Sequence, residues 1–130
     1  MKNNYDLTEK LSEKNSIKIL ILLIIGAVII RLYFTPFHIP ISLDGIDYFA
    51  YAIAMSREGI FPSGYILTNF GWPSFVSIFF TFANDVDMLS LMNLQRILSI
   101  IISTLTIIPI YFLTKIFFRK KIALFATTLF

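Results

Sequence analysis

Positions 1–16 are mostly polar and mixed in charge, after which the chain is apolar from Ile17 to about Phe34, interrupted only by Lys18 and Arg31. A helix rising about 1.5 Å per residue carries such a run across a hydrocarbon core of about 30 Å, its charged ends reaching back to water. The pattern predicts a cytoplasmic tail over 1–16 and a transmembrane helix over 17–35, stopped where Pro36 and Pro40 forbid continuation. No small-residue cleavage site follows Ile30, so the segment reads as a retained anchor rather than a removed leader. A second apolar stretch covers 89–118. Its eighteen uncharged residues between Arg96 and Lys115 make about 27 Å of helix, and its one proline, Pro109, is of a kind membrane helices tolerate. A basic turn, 119–121, leads to a further apolar run, 122–130, which predicts the start of a third span in the front portion of a longer protein.

Between the first two spans, 36–88 reads as a loop holding two shorter helices. One is expected over about 47–58, with Tyr48, Ala52 and Met55 on one strip, Phe49, Ile53 and Ser56 beside it, and Gly59 as its C-terminal cap. The other comes from GWPSFVSIFFTFA at 71–83, whose apolar core is shorter than the roughly seventeen residues a crossing needs. It predicts a juxtamembrane helix over about 73–83, started by Pro73 and anchored at the interface by Trp72. Letting it cross would also place Arg119, Lys120 and Lys121 opposite the N-terminal lysines, against the positive-inside rule.

Composition strengthens this pattern: 57% of residues are hydrophobic and 15% charged, with fourteen Phe and six Tyr. The fold class expected is an all-α integral membrane protein, a polytopic helical bundle with juxtamembrane helices in a first external loop. Its location is the cell membrane, multi-pass, with the N-terminus cytoplasmic and the lipid bilayer as its first partner. The formal charge of +3 comes from basic clusters at the tail and at 115–121, without the basic and aromatic interleaving that a nucleic-acid partner would need. The absence of cysteine excludes disulfides, thiolate metal sites and thiol catalysis.

The first loop is net acidic and carries the chemistry. Asp44 suits the N-cap of the helix that follows, and Asp47 suits its first turn, where the helix dipole favours negative charge by about 0.3–1 kcal/mol. The functional alternative is a carboxylate at the mouth of a membrane cavity, acting as general base or holding a divalent metal, Mg or Mn, against a lipid-linked phosphate. Arg31 and Arg96, each at the outer edge of its span, could grip a phosphate, although snorkelling or pairing with Asp85 or Asp87 explains them too. Asn93 and Gln95 read as interhelical hydrogen-bond donors. His38 has no nearby metal-ligating partner. TNFGWP, 68–73, either shapes a groove or simply turns the chain.

Arg31-Leu32, Asp44, Tyr48 and the alanine-containing helix ending in REGIFPSGY resemble the first external loop of membrane glycosyltransferases of the GT-C fold. That superfamily includes protein O-mannosyltransferases, lipid A aminoarabinose transferases and the catalytic subunit of oligosaccharyltransferase. The stretch from Leu91 to Phe130 is similar to the family's following helix and basic turn, with Arg96 and Arg119–Lys121 at the matching places. The resemblance covers about 17–130. It implies an enzyme that moves a sugar from a polyprenyl- or dolichyl-phosphate donor to a protein, lipid or glycan acceptor on the outer face. Asp44 would be the essential acid, with Asp47, Arg57, Arg96 and Arg31 around the donor and Asp44 and Asp47 as metal ligands. Family members often carry a second acid directly after the first; here Gly45 stands there. Later loops and a C-terminal domain complete the family's site, so this stretch alone is expected to be inactive. The alternative is a non-catalytic membrane protein: a transporter fragment, an accessory subunit or a truncated, inactive transferase.

Overall fold

The computed structural model describes residues 2–59, 69–83 and 86–129, with side chains described from residue 15 onward. Its elements are α1 (Lys2–Phe34), α2 (Asp44–Glu58), α3 (Gly71–Thr81), α4 (Met88–Leu105), α5 (Ile107–Phe117) and α6 (Lys120–Thr128). No strand occurs among the described residues. Two stretches are long and apolar enough to cross a membrane: Asn15–Phe34, of 20 residues, and Met88–Phe117, of 30. α3, with 11 residues, rises only about 17 Å and falls short of a crossing.

Several boundaries differ from the expected ones; α3 runs Gly71–Thr81 rather than about 73–83, so Pro73 is its third residue, within the first turn where its missing N–H costs nothing. The backbone expected as a polar tail is helical from Lys2, because adding residues to an existing helix avoids the cost of a new nucleus. α2 starts at Asp44, three residues early, with Leu43 at the N-cap and no side-chain cap bond. Asp44 is therefore the first helical residue, not the cap. The stretch 89–118 is two helices, with Thr106 between α4 and α5. Pro109 has no N–H to return to the Leu105 carbonyl four residues back, and its ring crowds that same carbonyl. α6 takes up the chain at Lys120 rather than Ile122. Gly59 ends α2 in the left-handed conformation at φ 67°, its N–H bonding the Met55 carbonyl at 3.0 Å, a geometry that glycine adopts without steric cost.

The chain divides into two compact units, Thr35–Ser99 and the paired segments Met1–Phe34 and Ile100–Phe130. In the Thr35–Ser99 unit, α2 packs on α3 and the core joins Phe49 and Ala52 of α2, Val76 and Phe80 of α3, and Leu91 and Leu98 of α4. Phe49 meets Phe80 edge to face at 5.6 Å, the arrangement that ring quadrupoles favour. The inner face of α2 is thus set by Phe49 and Ala52, with Tyr51 also buried; of the strip Tyr48, Ala52 and Met55, only Ala52 is buried. In the other unit, α6 packs on α5 and α1 around Leu20, Ile107, Tyr111 and Ala123.

Candidate functional site

The chain leaves α1 at Phe34 and reaches α2 through a proline-containing segment, and two amide side chains of α4 hold this segment at both ends. Asn93 Nδ2 donates to the Phe37 carbonyl at 2.9 Å, and Gln95 Nε2 donates to the Gly45 carbonyl at 3.4 Å. Asn93 also accepts from Arg96 Nη1 at 2.8 Å. That contact orients the guanidinium and leaves most of its five N–H donors for other partners.

Between these two attachments lies a cleft of about 340 Å³ lined by prolines 36 and 40, Ile39, Ile41, Ser42, Trp72, Gln95, Arg96 and Ser99. Its size falls at the lower end of small-molecule sites, about 300–1,000 Å³. Trp72 stacks on Phe75 at 5.8 Å and packs against the unit's core, so its ring forms a fixed wall. Gln95 is only 7% exposed, and its Oε1, itself buried, has no hydrogen-bond partner among the described residues.

Asp44 follows two residues after Ser42 and is exposed, as is Asp47. Three residues apart at the start of one helix, they share a face with Cβ atoms about 5–6 Å apart. Before them, Leu43 holds φ 54° and ψ −144°, a region essentially reserved for glycine, at a cost of about 1–3 kcal/mol. A Cβ at Gly45 would collide with the Ile41 side chain, which would have to shift to admit any larger residue. An acid directly after Asp44, the pattern common among GT-C enzymes, would therefore be accommodated only at a cost in this turn.

The other expected site residues lie elsewhere. Arg57 is exposed in the last turn of α2, about 20 Å along the helix axis from Asp44. It cannot offset any desolvation of that carboxylate. Arg31 belongs to the other unit, where its Nη1 donates to Ser103 Oγ at 3.1 Å and Thr104 Oγ1 at 2.9 Å, an internal role in place of snorkelling. Asp87 caps α4: its carboxylate accepts from Ser90 N at 3.1 Å and Ser90 Oγ at 2.7 Å. The Ser90 hydroxyl and then the Ser90 N–H hold its pKa below the usual 3.8. Asp85 and most of REGIFPSGY and TNFGWP's Thr68 lie outside the described residues. Among the described residues no three His, Asp or Glu side chains converge on one point, so Asp44 and Asp47 form a pair rather than a cage.

Sequence reasoning named Arg96 but passed over Gln95, Ser42, Ser99 and Trp72 as one constellation. Its signal was the polar trio Asn93, Gln95 and Arg96 inside an otherwise apolar run. Comparison with protein-family models, with curated proteins and with solved structures returned no match for the chain.

Proposed function

We propose that this chain is the N-terminal part of a polytopic membrane glycosyltransferase that moves a sugar from a polyprenyl-phosphate carrier to an acceptor on the outer face of the cell membrane. The observation that carries the reading is the exposed pair Asp44 and Asp47 in the first turn of α2, which begins two residues after Ser42, a residue lining the cleft that also takes in Arg96. The resemblance of the same stretch to GT-C enzymes supports it. So does the large exposure of apolar side chains such as Leu22 at 69% and Ile116 at 75%, which suits a lipid surroundings better than water.

In this reading, the Asp44 carboxylate takes the proton from an acceptor hydroxyl or amide. The acceptor then attacks the anomeric carbon, and the lipid phosphate departs with the bonding pair. Arg96 faces the phosphate as a fixed cation. Asp44 and Asp47 are the residues that would hold a divalent cation, with phosphate oxygens completing its shell, as magnesium sites commonly do. Such a cation would neutralise charge on the leaving phosphate.

The test is sugar transfer by the protein made from its full reading frame, reconstituted in liposomes with polyprenyl-phosphate-linked sugars. Asp44→Asn is expected to abolish transfer while leaving expression and helix content unchanged. Undiminished transfer overturns the assignment of Asp44. A wild type that transfers no sugar from any carrier favours the non-catalytic membrane protein instead.

A further inference from the structure

The turn between α5 and α6 gathers more positive charge than its helices call for. Lys115, in the last turn of α5, sits where a helix dipole favours a cation. Arg119, Lys120 and Lys121 are the N-cap and first two residues of α6, the end at which the dipole opposes one. No side-chain cap bond forms there. The α6 ladder starts with the Ile122 and Ala123 N–H groups, which donate to the Arg119 carbonyl at 2.9 and 3.1 Å. No Asp or Glu follows Asp87 in the sequence, and the acids of the same unit, Asp6, Glu9 and Glu13, share their stretch with Lys2, Lys10, Lys14 and Lys18.

The four cations of the turn line one open cleft of about 680 Å³, together with Phe118 and Ile122. Lys115 and Lys120 are half-buried rather than extended into water, while Phe118 and Ile122 are exposed. The positive-inside rule accounts for the side of the membrane on which basic residues lie, not for their convergence on a cleft with two apolar walls. The turn directly follows Phe117, the last residue of the stretch fit to cross a bilayer, which places it at headgroup depth. A free phosphate answers the cations and leaves Phe118 and Ile122 uncovered. A phospholipid answers both, because its phosphodiester accepts from the planar fork of Arg119 and from the lysines, while its glycerol and first acyl carbons cover the apolar pair.

We infer that the α5–α6 turn is a binding site for an anionic phospholipid of the cytoplasmic leaflet, with its phosphate held by Arg119, Lys120 and Lys121 and its apolar part resting on Phe118 and Ile122. The lipid bound here is not consumed, and the site does not depend on the glycosyltransferase reading.

The experiment assembles the full chain in lipid nanodiscs of phosphatidylcholine mixed with phosphatidylglycerol of the same acyl chains. Native mass spectrometry then counts the lipids retained by the released protein. Each Lys or Arg near an anionic surface strengthens binding about fivefold, so one retained phosphatidylglycerol is expected at a preference of about a hundredfold over phosphatidylcholine. Replacing all three cations (Arg119→Gln, Lys120→Gln, Lys121→Gln) is expected to abolish the preference. Helix content should hold, since like charges leave the positive end of α6. Two further variants separate a built site from diffuse attraction. Lys10→Gln, Lys14→Gln and Lys18→Gln together remove as much charge from the tail and are expected to keep the preference, whereas Ile122→Trp fills the cleft at unchanged charge and is expected to weaken it. The inference is overturned if phosphatidylglycerol is not preferred, if the tail variant loses as much as the turn variant, or if Ile122→Trp binds as the wild type does. It is also overturned if inorganic phosphate, at an ionic strength matched with chloride, displaces the lipid, since the site would then take a free anion.

Discussion

The Thr35–Ser99 unit and the unit formed by Met1–Phe34 and Ile100–Phe130 meet the same requirement in different ways. The first gathers residues from three helices into an interior where Ala52 and Val76 are fully buried. It ties irregular backbone down with long-range bonds from Asn93 and Gln95. The second has a thin core, with Tyr111 as its large buried side chain, and leaves much of α1 and α5 exposed. In both units hydroxyls turn back on their own helices, as Ser77 does to the Ser74 carbonyl at 2.8 Å and Thr114 to the Ile110 carbonyl at 2.8 Å. Chain that departs from regular helix must satisfy its backbone groups through tertiary partners, whereas an apolar helix satisfies them internally and can leave its side chains to lipid. Clefts occur in both units, about 340 Å³ in the first and about 330 Å³ in the second; the first differs in that side chains of α4 hold the segment lining its cleft.

The sharpest way to break this contrast is to make one substitution in both units. Phe80→Ala, in a side chain that is 3% exposed, is expected to cost about 3–5 kcal/mol. Phe117→Ala, at 73% exposed, is expected to stay within about 0.5 kcal/mol. Thermal unfolding in the same nanodiscs, followed by circular dichroism, measures both; equal losses would remove the distinction between the units.

A smaller effect tests the turn that presents the two carboxylates. Gly45→Ala drives a methyl into Ile41 and is expected to cost about 1–3 kcal/mol, with a shift in Trp72 emission because Ile41 lines the same cleft. Leu43→Gly relieves the positive φ and is expected to hold or raise the melting temperature, by about 1 kcal/mol less the added entropy of glycine in the unfolded chain. Leu43→Val should lower it. A melting temperature that falls in Leu43→Gly would show that the turn is not strained.

The smallest effect concerns the cap of α4. Asp87 has a folded pKa held below its usual 3.8 by Ser90, so its contribution is complete above that value and is lost as pH falls through the folded pKa. Carbon-13 NMR titration of the Asp87 carboxyl should give a midpoint below 3.8, rising toward that value in Ser90→Ala. An unchanged midpoint in the variant would show that Ser90 is not the cause.

Much of the architecture could be read from local pattern because its causes are local. Two apolar runs long enough to cross a membrane, the prolines that end α1, and Gly59 closing α2 depend on residue type and near neighbours. The inner face of α2 could not be read this way, because Tyr48, Ala52 and Met55 share a strip as well as Phe49, Ala52 and Ile53 do. Only the arrival of α3 and α4 chose between them. Asp44 and Asp47 stood out as charges in an apolar chain, but Arg57 and Arg31 were grouped with them on charge alone. Helix length separates Arg57 from Asp44, and two hydroxyls of α4 engage Arg31.

The sequence by itself determined that this protein is helical, that it carries two stretches fit to cross a bilayer, and that two of its carboxylates, Asp44 and Asp47, sit just past the first. Those features follow from hydropathy and from backbone constraints at proline and glycine, which act within a few residues. Tertiary structure alone decided that Gln95 is buried and bonded to the Gly45 carbonyl, and that Arg96 and Trp72 line the same space. A bond from Gln95 of α4 to Gly45, or a cleft wall shared by Trp72 and Arg96, depends on atoms brought together from positions tens of residues apart.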